Sequence, residues 1–145
     1  MSNIVIASND ALCQSAKNWF VQNNIAVEGP ALDKLGDGDK LYIIAHDTEL
    51  GSGEDFSRYV LSSTTNFPMT NWVCVLIVCS AAALPQGKIL SAAENVANFF
   101  KRPVMASTTT VYGQWSATGA TFTGEYRTVN PGEDVESLFE NLTIK

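Results

Sequence analysis

At 145 residues, 46% of them apolar and 17% charged, the chain has the composition of one globular domain with its own core and not of a disordered segment. Fifteen acidic against nine basic residues give a net charge of −6, and the basic residues are scattered singly apart from Lys101-Arg102. Phosphate-bearing partners require clustered Lys and Arg, so neither nucleic acid nor an anionic membrane surface is an expected partner.

From the amino terminus, Met1-Ser2-Asn3 carries no positive charge ahead of a long apolar run, so no signal peptide is expected. No stretch approaches the roughly 20 apolar residues of a membrane span. Three cysteines without a leader point to reduced thiols in a cytoplasmic protein. Asn3–Ala7 reads as a short buried strand. Ser8-Asn9-Asp10 then offers N-caps for a helix reaching about Asn23. Helical spacing gives that helix an inner face of Leu12, Cys13, Ala16, Trp19 and Phe20, with Gln14, Lys17, Asn18 and Gln22 outside. Ile25–Val27 is a second short strand, followed by a loop punctuated by Gly29-Pro30 and Gly36-Asp37-Gly38-Asp39.

Lys40–His46 is an apolar run that ends on the single histidine of the chain. A glycine-containing loop follows, then a helix near Glu54–Ser63 with Phe56, Tyr59 and Val60 on its apolar face. Trp72–Val78 is unbroken in its apolarity and lies between Pro68 and Pro85, which describes a central parallel strand buried on both faces. Gly87–Lys101 reads as a helix carrying Ile89, Leu90, Ala93, Val96, Ala97 and Phe100, and Pro103–Ser107 as the next strand. Thr108–Val129 mixes aromatic and polar residues with Gly113, Gly119 and Gly124, the pattern of a β-hairpin or flap near the sheet's edge. After the turn at Asn130-Pro131-Gly132, Asp134–Asn141 reads as a short terminal helix. Strands alternating with helices make the class α/β, a three-layer sandwich of one mostly parallel sheet with helices on both faces. The first strand is expected at the centre, the His46 and Cys79 strands beside it, and the Pro103 strand beyond.

The chemistry concentrates where two strands stop. Cys79 follows the Trp72 strand and opens the small-residue run Cys79-Ser80-Ala81-Ala82-Ala83; His46 closes the Lys40 strand. Neighbouring parallel strands bring their carboxyl ends to one edge, the place where open α/β sheets bind ligands. A thiol beside an imidazole there is the pair a cysteine hydrolase needs, the thiolate as nucleophile and the ring as base. Cys74, in mid-strand, and Cys13, on its helix, read as small buried hydrophobes. One histidine and separated cysteines lack zinc-site spacing, and no phosphate-binding glycine motif follows a strand, so neither a metal nor another cofactor is expected.

With those residues placed, the chain resembles the caspase-like (caspase–gingipain–legumain) clan of cysteine peptidases, most of all the self-processing cysteine protease domains of large bacterial toxins. The likeness runs from about Lys40 to Thr110 and rests on strand–His46, loop and helix, strand–Cys79-Ser80-Ala81-Ala82, then the Ala-rich helix and Arg102-Pro103-Val104-Met105-Ala106-Ser107-Thr108-Thr109. It implies a peptide or protein substrate, Cys79 as nucleophile with His46 as partner, and an oxyanion hole from the backbone N–H groups of Asp47 and Cys79. It also implies substrate contacts from Asn9, Asp10, Ser80, Thr108, Thr109 and the segment reaching Trp115. The chain departs from the pattern in two places. Asp47 stands where the family has Gly after the His, and the His46–Cys79 separation of 33 residues is shorter than the roughly 50 of caspases. A catalytically degenerate member that binds peptides is the alternative reading, and a flavodoxin-like binding domain a third. Absence of arginine among the pocket residues, with an acidic rim, favours a basic or neutral substrate side chain over an acidic one.

Overall fold

The computed structural model describes residues 3–28, 35–46, 70–78, 82 and 91–131. Their elements follow in chain order: β1 (Ile4–Ala7), α1 (Ala11–Gln22), β2 (Val27–Glu28), β3 (Lys40–Ile44), β4 (Val73–Ile77), α2 (Ala92–Phe100), β5 (Val104–Ser107), β6 (Tyr112–Ser116), β7 (Gly119–Thr123) and β8 (Tyr126–Val129). Six strands form one sheet in the order β2-β1-β3-β4-β5-β8, parallel except for β8, which runs antiparallel along the edge of β5. The sequence order of the four long strands is therefore their order in space, with β1 inside the sheet. The helices read near Glu54–Ser63 and over Asp134–Asn141 lie outside the described residues.

Alternation along the strands explains why both faces are covered. Ile4, Leu41, Ile43, Cys74, Leu76 and Val104 turn to one face and pack with Ala93, Val96, Ala97 and Phe100 of α2. Val5, Ile44 and Ile77 turn to the other, where Cys13, Ala16 and Phe20 of α1 meet them. The result is the α/β three-layer arrangement, helix on sheet on helix. Trp72, fully buried just before β4, meets the Phe100 ring edge-on at 5.2 Å and closes the α2 side of the core.

Local chemistry moves several boundaries from where the periodicity puts them. α2 starts at Ala92, not Gly87, because Ser91 is its cap: the Ser91 hydroxyl accepts from the Glu94 N–H at 3.1 Å, the first half of a Ser-x-x-Glu capping signature. It ends where Lys101 takes a left-handed conformation, φ 55°, and returns its N–H to Ala97 O. β2 is Val27–Glu28, later than Ile25, because Asn24 (φ 58°) turns the chain and the N–H groups of Ile25 and Ala26 still bond to Phe20 O. On α1 the inner face is rotated from the expected one. Leu12 is 60% exposed, whereas Lys17 is buried along its stem and sets its ammonium 2.8 Å from Glu28 and 2.7 Å from Gln14 Oε1.

β6 and β7 form a hairpin of their own, with Tyr112 opposite Thr123 and Ser116 opposite Gly119. The segment expected to form a hairpin or flap near the sheet's edge does so: β8 pairs along β5 at the edge, and the β6–β7 hairpin folds back over α1. The Trp19 indole donates to Ser116 O at 2.7 Å and the Trp115 indole to Ser15 Oγ at 3.3 Å. Phe122 stacks on Phe20 at 5.8 Å and on Trp115 at 6.0 Å. No helix among the described residues is long and apolar enough to cross a membrane.

Candidate functional site

The sheet order reverses at β1. The chain moves outward from β1 to β2 on one side and then crosses to β3 on the other, so a crevice opens between the carboxyl ends of β1 and β3. Doubly wound sheets bind their ligands at such a point. Ser8 marks the end of the β1–β3 pairing, its N–H on Ile44 O at 3.0 Å. Two residues further along each chain stand Asp10 and His46.

Asp10 is the N-cap of α1, with its Oδ2 accepting the N–H groups of Leu12 at 3.0 Å and Cys13 at 3.2 Å. The same oxygen lies 3.2 Å from His46 Nε2. Hydrogen bonding to the charged form, first from the Cys13 N–H and then from His46, holds the Asp10 carboxyl below its ordinary value. Cys13, buried on the inner face of α1, brings its sulfur to 4.0 Å from that same Nε2. Asp10, Cys13 and His46 thus converge, with one ligating atom from each lying within 4.8 Å of the others.

Beside this cluster lies a cavity of about 150 Å³, its walls Cys13 and Ala16 from α1, Ile44 and Ile77 from the sheet, and His46 at its mouth. Val111, Trp115 and Phe122 roof it. The hairpin is held in that position by the two indole hydrogen bonds to and from α1. Gly113 sits in the roof because nothing larger fits: a Cβ there comes 2.8 Å from the Trp115 ring and 3.1 Å from that of Phe122. Cys74, by contrast, is fully buried in mid-strand on the other face of the sheet, and burial pushes its thiol well above the ordinary range. Neither Cys13 nor Cys74 is in a disulfide.

Of the residues singled out from the sequence, the structure brings together His46, Asp10 and Trp115. Asn9 is exposed. Thr108 and Thr109 follow β5 and tie its end to the residue before β8: Thr108 donates its N–H to Glu125 O at 2.9 Å, and Thr109 exchanges hydrogen bonds with Ser107. None of these three lines the cavity. Asp47, Cys79 and Ser80 lie outside the described residues. Sequence reasoning missed Cys13 as a site residue, reading it as packing alone. The signal available was Asp10-x-x-Cys13, a cap and the third residue of its helix, directly after a strand that ends at the sheet's ligand edge. Asp10 is not among the residues that line the cavity, and its carboxylate is engaged by the α1 N-terminus and by His46.

Compared with known proteins, the chain matches no family model, no curated protein and no solved structure.

Proposed function

We propose that this protein is a small cysteine peptidase that cleaves peptide bonds through Cys79 and His46. The observation that carries the reading is register. β3 and β4 are adjacent and parallel with Ile44 opposite Ile77, and His46 and Cys79 each stand two residues beyond those partners. Val78 belongs to the α2 face, as Ala45 does. Ile77 shares with Ile44 the α1 face of the sheet, and on β3 the residue two beyond Ile44 is His46, which meets Asp10. In the proposed reaction the Cys79 sulfur attacks the peptide carbonyl and its proton passes to His46 Nδ1. Asp10 holds the opposite nitrogen and stabilises the imidazolium. The ring then protonates the departing amine, and water cleaves the thioester to release the acid and the thiol.

The cavity beside His46 indicates the side chain such an enzyme would take. Its walls of Ala16, Ile44, Ile77, Val111 and Phe122 offer no countercharge, and an apolar cavity of about this size accommodates a benzene-sized group. We therefore place an apolar residue there, in preference to a basic one. Incubation of the purified chain with a peptide library tests both points. The expected result is cleavage next to Leu-, Met- or Phe-like residues, lost in Cys79→Ala. Cleavage that survives Cys79→Ala overturns the mechanism, and faster cleavage beside Arg or Asp overturns the assignment of the cavity.

A further inference from the structure

We propose that Asp10, Cys13 and His46 form a binding site for a thiophilic divalent cation, with zinc as the natural fit. The site shares Asp10 and His46 with the peptidase reading but needs neither Cys79 nor a peptide, and a cation on Nε2 leaves the ring proton on Nδ1, so the loaded protein lacks the base that the peptidase reaction uses. The argument begins with where the atoms point. In a nucleophile–base–orienter triad the thiol and the carboxylate approach opposite nitrogens of the ring. Here Cys13 Sγ, at 4.0 Å, and Asp10 Oδ2, at 3.2 Å, approach the same one, Nε2. Such a cluster cannot relay a proton from thiol through ring to carboxylate. Three unlike donors converging on one point is the arrangement a cation requires.

The dimensions agree. Zinc bonds of roughly 2.3 Å to sulfur and 2.0–2.1 Å to nitrogen and oxygen, at tetrahedral angles, separate N from O by about 3.3 Å and N from S by about 3.6 Å. The observed N–O and N–S separations of 3.2 and 4.0 Å need shifts of a few tenths of an ångström, and the S–O pair, within 4.8 Å, has to close by up to about 1.2 Å to reach the tetrahedral value. A thiolate, an imidazole and a carboxylate form a donor set that suits zinc and cobalt and disfavours magnesium or calcium, which take oxygen ligands. Three protein ligands leave a fourth position for water or another ligand, as in open zinc sites.

The scaffold is rigid where it matters. Asp10 and Cys13 are the cap and third residue of a 12-residue helix, locked by two backbone hydrogen bonds to the carboxylate. Oδ2 already accepts both cap N–H groups, so an ion takes Oδ1 or displaces the longer cap bond, that from Cys13 at 3.2 Å. His46 arrives from β3, the neighbouring strand. The Asp10 and His46 side chains are 41% and 49% exposed, so an ion reaches them from solvent. On binding, Cys13 releases its proton as thiolate, and the neutral ring ligates through Nε2 with its proton on Nδ1.

Cobalt(II) titration of the full chain, stripped of metal, tests the proposal. A thiolate-to-cobalt charge-transfer band in the near ultraviolet should rise to one equivalent, and zinc should displace it. The band should persist in Cys79→Ala, because the only other thiol then remaining is Cys74, buried on the far face of the sheet. Cys13→Ser should remove it, and Asp10→Asn, which keeps the cap, should weaken binding about 10-fold or more. If Cys13→Ser does not fold, His46→Gln in the Cys79→Ala background decides instead, since that side chain is half exposed and its loss should abolish saturable binding. No band in the wild-type protein, a band that disappears with Cys79, or one indifferent to His46 overturns the site.

Discussion

Asp10 performs two tasks with one carboxylate, and substitutions can separate them. Asn caps a helix about as well as Asp, whereas Ala caps poorly. Asp10→Ala should therefore lower the urea midpoint of unfolding more than Asp10→Asn, while both release His46 from its charged partner. Equal midpoints for the two variants would show that the cap contributes nothing. Cys74 offers a second residue-scale expectation. Its raised thiol and complete burial make it inert, so iodoacetamide should label it in the native state only as fast as the protein unfolds, as peptide mapping can show. Of these residues, His46 was legible in the sequence because a lone histidine ending an apolar run has an unambiguous place on a parallel sheet. Cys13 was legible as an inner-face residue but not as a neighbour of His46, because helical spacing gives a face and not the strand residue that the face meets. α1 turns so that Lys17, not Leu12, is buried.

At the scale of elements, the hairpin β6–β7 decides whether the cavity exists. It contributes the roof, and its hold on α1 consists of two indole hydrogen bonds and an aromatic stack. Gly113→Ala pushes a methyl group into the Trp115 and Phe122 rings. Overpacking of this kind costs about 1–3 kcal/mol, so the variant should unfold at lower urea and bind an apolar probe in the cavity more weakly. Unchanged stability and unchanged probe binding would contradict the roof as described. The strands themselves were readable, since runs such as Trp72–Val78 are apolar on both faces and only one layer of the fold accommodates that. The hairpin's existence was readable from its glycines and alternating aromatics, but its docking was not. Alternation identifies a hairpin's apolar side without identifying the surface that side covers, and only Trp19 meeting Ser116 and Phe20 meeting Phe122 supply that.

For the whole molecule, the sheet order β2-β1-β3-β4-β5 locates the crevice, and the crevice gathers what chemistry the chain has. A strand that ends at Ala7, another that ends two residues before His46 and a helix capped by Asp10 all open on one edge, and the cavity lies next to it. The central claim is that this edge activates Cys79. Alkylation kinetics in metal-free buffer test it most directly, with the rate at each cysteine read by peptide mapping and compared with the same peptide in denatured protein. The account predicts that Cys79 reacts faster in the native protein than in the denatured chain, that Cys74 does not react, and that His46→Ala returns Cys79 to the denatured rate. Native Cys79 reacting no faster than its denatured peptide, or reacting at the same rate with and without His46, would contradict it.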